Sequence, residues 1–276
     1  LRCVVGAVFE LAGRGVPLTK QGLISAKVML GLPGLGGELW ALITTETAGM
    51  GFLPDRRPKI LFERHLFSAL TNQAYDQTHP AISAKEAGGY GPPGAFQYER
   101  LAQAMKLDAN AALSATSWGL GQLLGRNFKI CGYESPLHMT IAMVQSEDNQ
   151  LIAMARMIVA NKWAAALKQH EWAKFARLYN GPNYQINRYD QRLSEYFASY
   201  TAEPDLTVRS VQCYLTYLGY KPGRIDGISG PATARAVADF QARNSLDPDG
   251  KITEPLLSLL ATAQPTARHM APAAAS

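Results

Sequence analysis

VRSVQCYLTYLGYKPGRIDGISGPATARAVADFQARNSLDPDGKITEPLLSLL, from Val208 to Leu260, decides how this chain divides. Val208, Val211, Leu215 and Leu218 recur at helical spacing, and Ala234, Val237, Ala238 and Phe240 form a second such face. Leu218-Gly219-Tyr220 closes the first helix with a glycine able to take positive φ. Gly230-Pro231 opens the second, with proline in the first turn where its missing N–H costs little. The Asp249-Gly250 turn leads into a third short apolar helix, Pro255 to Leu260. The pattern predicts a three-helix bundle close to the lower size limit for an autonomous core, which suits a binding module better than an enzyme.

Working outward, the chain of 276 residues has room for a second and larger domain. The expected division is an N-terminal segment at 1–16, a first domain at 17–201, a linker at 202–207 containing Glu203-Pro204-Asp205, the bundle at 208–261, and a disordered Ala- and Pro-rich tail at 262–276. Residues 1–201 hold 20 Lys+Arg against 15 Asp+Glu, whereas residues 202–260 hold 6 against 7. A basic larger domain suits an anionic target, and the lack of any block of Lys and Arg makes nucleic acid the weakest candidate. Cys3, Cys131 and Cys213 are too few and too scattered for a disulfide framework or a zinc knuckle, which predicts folding in a reducing compartment. No apolar run is long enough for an ordinary transmembrane helix, so no stable membrane insertion is expected. The start LRCVVGAVFELAG is interrupted by Glu10 and lacks a clean cleavage site, so it reads as an ordinary segment and not as a secretion signal.

The fold class expected for the whole is mainly α. Helix signals run through Gln21–Leu30, Glu38–Glu46, Leu61–Leu70, Ala95–Met105, Ala109–Ala115, Trp118–Leu124, Leu137–Val159 with a break, Trp163–Leu167, Trp172–Tyr179 and Tyr184–Tyr200. Strand signals are few, and the Gly-, Pro- and Ser-rich stretch Thr71 to Pro93 is the one good place for a small sheet.

The chemistry of the first domain is placed at Glu46, in ALITTETAGMGFL. Leu39, Leu42 and Ile43 make one apolar face of a helix whose last turn carries Glu46, and Gly49 and Gly51 end it. A carboxyl at a helix C-terminus sits against the dipole, and that field together with partial burial is expected to raise its pKa. A raised pKa is what a general acid needs in order to hold a proton near neutral pH. On this motif alone, a solvated glutamate at a fraying helix end is the more ordinary reading.

Three further segments change the weighting: Arg57-Pro58-Lys59-Ile60-Leu61-Phe62-Glu63-Arg64-His65, then Ser117-Trp118-Gly119-Leu120-Gly121-Gln122, then Phe175-Ala176-Arg177-Leu178-Tyr179-Asn180-Gly181-Pro182. In this order they resemble the motifs of phage endolysin N-acetylmuramidases, whose domain is similar to goose-type lysozymes and lytic transglycosylases. The resemblance covers roughly residues 17–200. The turn text of the C-terminal bundle, with Asp226-Gly227, Gly230-Pro231-Ala232-Thr233, Phe240-Gln241 and Asp249-Gly250, resembles the peptidoglycan-binding domain of cell-wall hydrolases.

The resemblance implies a lysozyme-like α-helical catalytic domain with at most a small β element, a three-helix wall anchor, and bacterial peptidoglycan as partner. It implies that Glu46 is the acid, that Trp118, Gln122, Tyr179 and Asn180 line a saccharide cleft, and that Asp226, Gly227, Phe240 and Gln241 belong to the anchor. Planar faces and amides suit a polymer of amide- and hydroxyl-bearing rings. Glu63 is the candidate second carboxylate, with a structural ion pair as the alternative. A separation from Glu46 of about 6.5–9.5 Å would fit inversion and about 5–5.5 Å retention. His65 reads more readily as an interior group than as a substrate contact.

The expected activity is hydrolysis of the β-1,4 bond between N-acetylmuramic acid and N-acetylglucosamine by a phage-type endolysin, ending in host lysis. Two alternatives stay open: a lytic transglycosylase giving 1,6-anhydromuramyl products, and a non-catalytic wall-binding or virion protein. The anchor reads as an independent tether, so deleting residues 204–276 is expected to leave cleavage of short soluble glycans unchanged. The histidines show no zinc-enzyme spacing and the Gly31–Gly37 run lacks a phosphate-loop Lys, so no metal or organic cofactor is expected. The expected form is a monomer held in the host cytoplasm until a separate pore-former releases it to the wall.

Overall fold

A computed structural model describes residues 15–264 apart from positions 33 and 35; the expectations for the N-terminal segment before Gly15, for Cys3 and for the tail beyond position 264 lie outside the described residues. Among the described residues the chain runs through α1 (Lys20–Leu30), α2 (Gly37–Thr47), β1 (Ile60–Phe62), α3 (Arg64–Leu70), α4 (Ala95–Leu107), α5 (Ala109–Ser114), β2 (Thr116–Trp118), β3 (Leu123–Leu124), α6 (Pro136–Gln145), α7 (Glu147–Ala160), α8 (Ala164–Lys168), α9 (Trp172–Asn180), α10 (Tyr189–Ser199), α11 (Leu206–Tyr217), α12 (Pro231–Arg243) and α13 (Glu254–Thr262). The class is mainly α, as the periodicities predict.

The helix α2 has no polar face. Leu39, Trp40, Ala41, Leu42 and Ile43 are all buried, together with Thr44, Thr45 and Thr47. A helix enclosed on every side belongs at the centre of a domain, and α10 packs along it. The second pillar is α7. The expected break in the 137–159 helix falls at Ser146, whose backbone is extended and whose hydroxyl caps α7 by accepting from Asn149 N at 3.2 Å. Its first turn presents Glu147 and Asp148, where the helix dipole favours negative charge. Asp148 holds the start of α1 through Thr19 N at 2.8 Å.

The sheet is small and antiparallel, in the order β1-β2-β3, with Ile60 opposite Trp118 and Trp118 opposite Leu123. It does not lie in Thr71–Pro93, which is a set of turns. There the loop carbonyls are satisfied by buried side chains in place of a ladder: Arg100 donates to Tyr90 O at 2.9 Å and Ala81 O at 2.9 Å, and Gln97 donates to Pro92 O at 2.9 Å. Two helix expectations fail over the strands that form instead. Residues 60–62 alternate buried, half-buried and buried, a period of two that makes β1, and α3 begins only at Arg64. Across 118–124, Gly119 at φ 63° and Gln122 at φ 45° take left-handed conformations that a helix cannot contain, and they turn β2 into β3.

The C-terminal bundle closes over Val211, Leu215, Leu218, Ala236, Val237, Phe240, Leu256 and Leu260. Two glutamines pin its turns in the same way. Gln212 Oε1 accepts from Asp226 N at 3.1 Å and Gly227 N at 3.0 Å, while Gln241 Oε1 accepts from Gly250 N at 2.9 Å.

The bundle is not a free tether. The expected linker is fixed on both flanks: Lys27 pairs with Glu203 at 3.2 Å, and Asp205 accepts from Thr207 N at 2.7 Å to start α11. Met50 and Phe52 from the first domain share a buried cluster with Cys213 and Tyr217 from α11. Arg56 lies over the rings of Tyr214 and Tyr217 at 5.7 and 5.5 Å. At the centre, Arg209 and Glu147 form a fully buried ion pair at 2.7 Å. The reading of an independent anchor therefore gives way to two docked domains.

Candidate functional site

The end of α2 opens onto a cavity of about 420 Å³ whose wall includes Thr45, Glu46, Leu61, Glu63, Ser117, Gln122, Leu124, Tyr179, Asn180, Asn187, Tyr189 and Arg192. Residues from α2, the sheet and its flank, the end of α9 and the start of α10 thus converge from sequence positions far apart. Of the side chains that the sequence put forward, Glu46, Glu63, Gln122, Tyr179 and Asn180 meet on this cavity. Trp118 does not. Its side chain is 0% exposed and its indole N–H donates to Leu113 O at 3.3 Å, so the ring serves the core beneath β2 while its neighbour Ser117 reaches the wall. Strand alternation accounts for the swap, since adjacent residues face opposite sides.

Glu46 is half-buried, and the hydroxyl of Tyr189 donates to its Oε1. Its pKa is raised from 4.5 to about 7, chiefly because burial disfavours the charged form, with the Tyr189 hydrogen bond and the Arg192 cation opposing. Burial is thus the main cause, one of the two expected from the sequence, while the helix end carries its own compensating charges. Two cations cap the carbonyls there: Lys59 Nζ donates to Thr47 O at 2.7 Å and Arg209 donates to Gly49 O at 2.6 Å. These contacts offset the negative end of the dipole. Helix α2 stops at Thr47, followed by Ala48 and Gly49 with φ of 54° and 90°.

Tyr189 and Arg192 are site residues that the sequence motifs do not reveal. They stand three apart on α10, one face of an amphipathic helix, and that spacing was the available signal. Arg192 donates to Thr45 O at 2.5 Å, which ties α10 to the last turn of α2. Tyr189 stacks at 6.5 Å with Tyr179, whose hydroxyl donates to Gly121 O at 2.8 Å. Burial, then the nearby Glu46 carboxyl, hold both phenols well above their usual pKa, so both remain proton donors.

Glu63 sits just before α3 on the same cavity, with Oε2 3.6 Å from His65 Nδ1. Burial raises its pKa, while His65 and Arg126 pull the other way. Gln122 spends its amide N–H groups on Gly119 O at 2.9 Å and Lys59 O at 3.2 Å, so that side chain also holds the β2–β3 turn. Among the described residues, no group of three or more His, Cys, Asp or Glu side chains is placed to hold a metal ion, and no helix is long and apolar enough to cross a membrane.

The four positions put forward for the wall anchor have mainly internal roles. Phe240 is 2% exposed in the bundle core, and Gln241 donates to Asp249 Oδ1 at 2.9 Å. Asp226 accepts from Ile228 N at 3.0 Å, and Gly227 is buried under Gln212. The sequence signal at these positions is that of the turns which build the module.

The family model of N-acetylmuramidases matches residues 37–201, and that of a putative peptidoglycan binding domain matches residues 205–260. Among solved structures, the chain is similar to the crystal structure of Burkholderia AP3 phage endolysin, at 39% identity and a TM-score of 0.60, covering 67% of this chain and 70% of that one. No curated protein matches the chain at a significant level.

Proposed function

We propose a catalytic course for a chain that belongs to the N-acetylmuramidase family and carries a peptidoglycan-binding domain. It is a glycoside hydrolase that acts on peptidoglycan. In the proposed course Glu46 is the general acid. One of its oxygens is occupied by the Tyr189 hydroxyl, so the proton rides on the other, and a pKa of about 7 keeps a large share of that oxygen protonated near neutral pH. The placement of the Glu46 carboxyl on the cavity wall, with one oxygen held by the Tyr189 hydroxyl, is the observation that carries the reading.

Proton transfer to the glycosidic oxygen releases the leaving sugar and leaves an oxocarbenium-like centre. The Glu46 carboxylate formed in that step is stabilised by the Tyr189 donor and the Arg192 charge, the two groups that oppose its neutral form beforehand. Water then attacks the sugar. Glu63 is the one other carboxylate on the cavity wall, and its raised pKa makes its ionised form a better base for that water. Asn180, Gln122 and Tyr179 offer amide and ring surfaces to the saccharide.

The bond assigned is the β-1,4 linkage from N-acetylmuramic acid to N-acetylglucosamine. Likeness to a phage endolysin supports a role in host lysis; release from the cytoplasm to the wall by a separate pore-former is the route proposed with it. The proposed course takes the chain to act as a monomer. Mass spectrometry of fragments from purified peptidoglycan tests the course. Products with reducing N-acetylmuramic acid ends that carry one added water are expected; anhydro ends would assign a transglycosylase, and free amino groups on intact strands would end the proposal.

A further inference from the structure

Arg209 lies on α11 of the wall-binding domain, yet its guanidinium is enclosed by the other domain. One nitrogen donates to Glu147 Oε2 at 2.7 Å, and the other donates to Gly49 O at 2.6 Å, three residues after Glu46. The same guanidinium stands 5.7 Å from the ring centroid of Trp40, inside α2. Glu147 in turn accepts from Gly51 N at 2.7 Å and from Leu18 N at 2.8 Å. A single charge from the second domain thus grips the turn 49–51 by its carbonyl directly and by its amide through the carboxylate.

Backbone packing at that turn is equally specific. A Cβ on Gly49 would collide with the carbonyl oxygen of Ile225, so the chain of one domain touches the chain of the other where only glycine fits. Both side chains of the pair are fully buried, so bulk water screens neither charge.

We propose that the wall-binding domain is a structural part of the catalytic centre, with Arg209 as a positioning residue that acts through Gly49 and Glu147 on the helix bearing Glu46. The proposal rests on the assignment of Glu46 as the acid. It makes the second domain necessary for cleavage even where there is no wall to bind, which a tether alone does not.

The test uses two full-length variants that avoid stranding a buried charge. Arg209→Met with Glu147→Gln leaves a neutral pair in which the amide oxygen still accepts one backbone N–H. Arg209→Lys keeps the charge but cannot span two acceptors with a planar fork. With a soluble peptidoglycan tetrasaccharide, kcat of each folded variant is expected to fall about tenfold or more while KM and pull-down on purified walls stay near the parent values. The Glu46 carboxyl, followed by carbon NMR, is expected to titrate below the parent midpoint as the loosened turn admits water. A folded variant with parental kcat and a parental Glu46 midpoint overturns the proposal. Should the parent itself release no sugar from the tetrasaccharide, the hydrolase course fails, and the Glu46 midpoint alone then decides the positioning role.

Discussion

Tyr189 on α10 donates a hydrogen bond to Glu46 on α2, across 143 positions of chain. Burial raises the acid while the phenol and the Arg192 charge temper it, so the midpoint of about 7 is a balance among the three. Each partner can be removed with little change of shape, which makes the balance testable.

Glu46→Gln removes the transferable proton. Peptidoglycan clearing is expected to fall by about 10²–10⁴ or more, with folding intact by circular dichroism. Near-normal clearing would refute the assignment.

The same variant reports on stability. The folded carboxyl titrates at about 7 against 4.5 for an unperturbed one, so the folded state holds its proton more tightly than the unfolded chain does. The parent therefore has its full stability below 4.5 and loses part of it as pH rises through 7. An amide in place of the carboxyl carries no such penalty, so urea melts are expected to show the variant more stable by roughly 2–3 kcal/mol at about pH 8 and equal to the parent at about pH 4.

Tyr189→Phe deletes a donor that lowers the Glu46 pKa. The alkaline limb of the kcat/KM profile is expected to move to higher pH, because the acid keeps its proton longer. An unmoved or lowered limb would contradict the geometry.

Glu63→Gln is expected to cost about 10-fold to 100-fold in kcat, less than the loss at Glu46. Full activity with a lower melting temperature would instead leave Glu63 as the structural partner of His65.

Trp118→Phe opens space in the core without touching the cavity. A loss of about 1–3 kcal/mol in denaturant titrations is expected, with KM for soluble glycan unchanged. A raised KM at unchanged stability would return the ring to the cleft.

Much of this molecule was legible in its sequence, for identifiable reasons. Glu46 stood out because a helix with an apolar face ended just after it and three ordered segments followed downstream, and a break within 137–159 and the three-helix bundle were read from spacing and turn residues. What escaped was set by tertiary partners. The strand at 60–62 is too short to distinguish from the helix after it, and Trp118 points inward because of a strand alternation invisible until β2 is paired. Tyr189 and Arg192 are ordinary surface-helix residues until α10 lies along α2. The lift on Glu46 was anticipated in direction and in its main cause, burial, but neither Lys59 nor Arg209 could be placed at the helix end from sequence.

The buried pair between Arg209 and Glu147 bears on how such enzymes can be recombined. A chimaera that replaces residues 205–260 with a foreign targeting module inherits a buried carboxylate stripped of its ion-pair partner, a defect worth about 3–5 kcal/mol when one partner of such a pair is lost. Retargeting this lysin to another host thus calls for a donor module that brings its own arginine to the seam, or for neutralising position 147 beforehand.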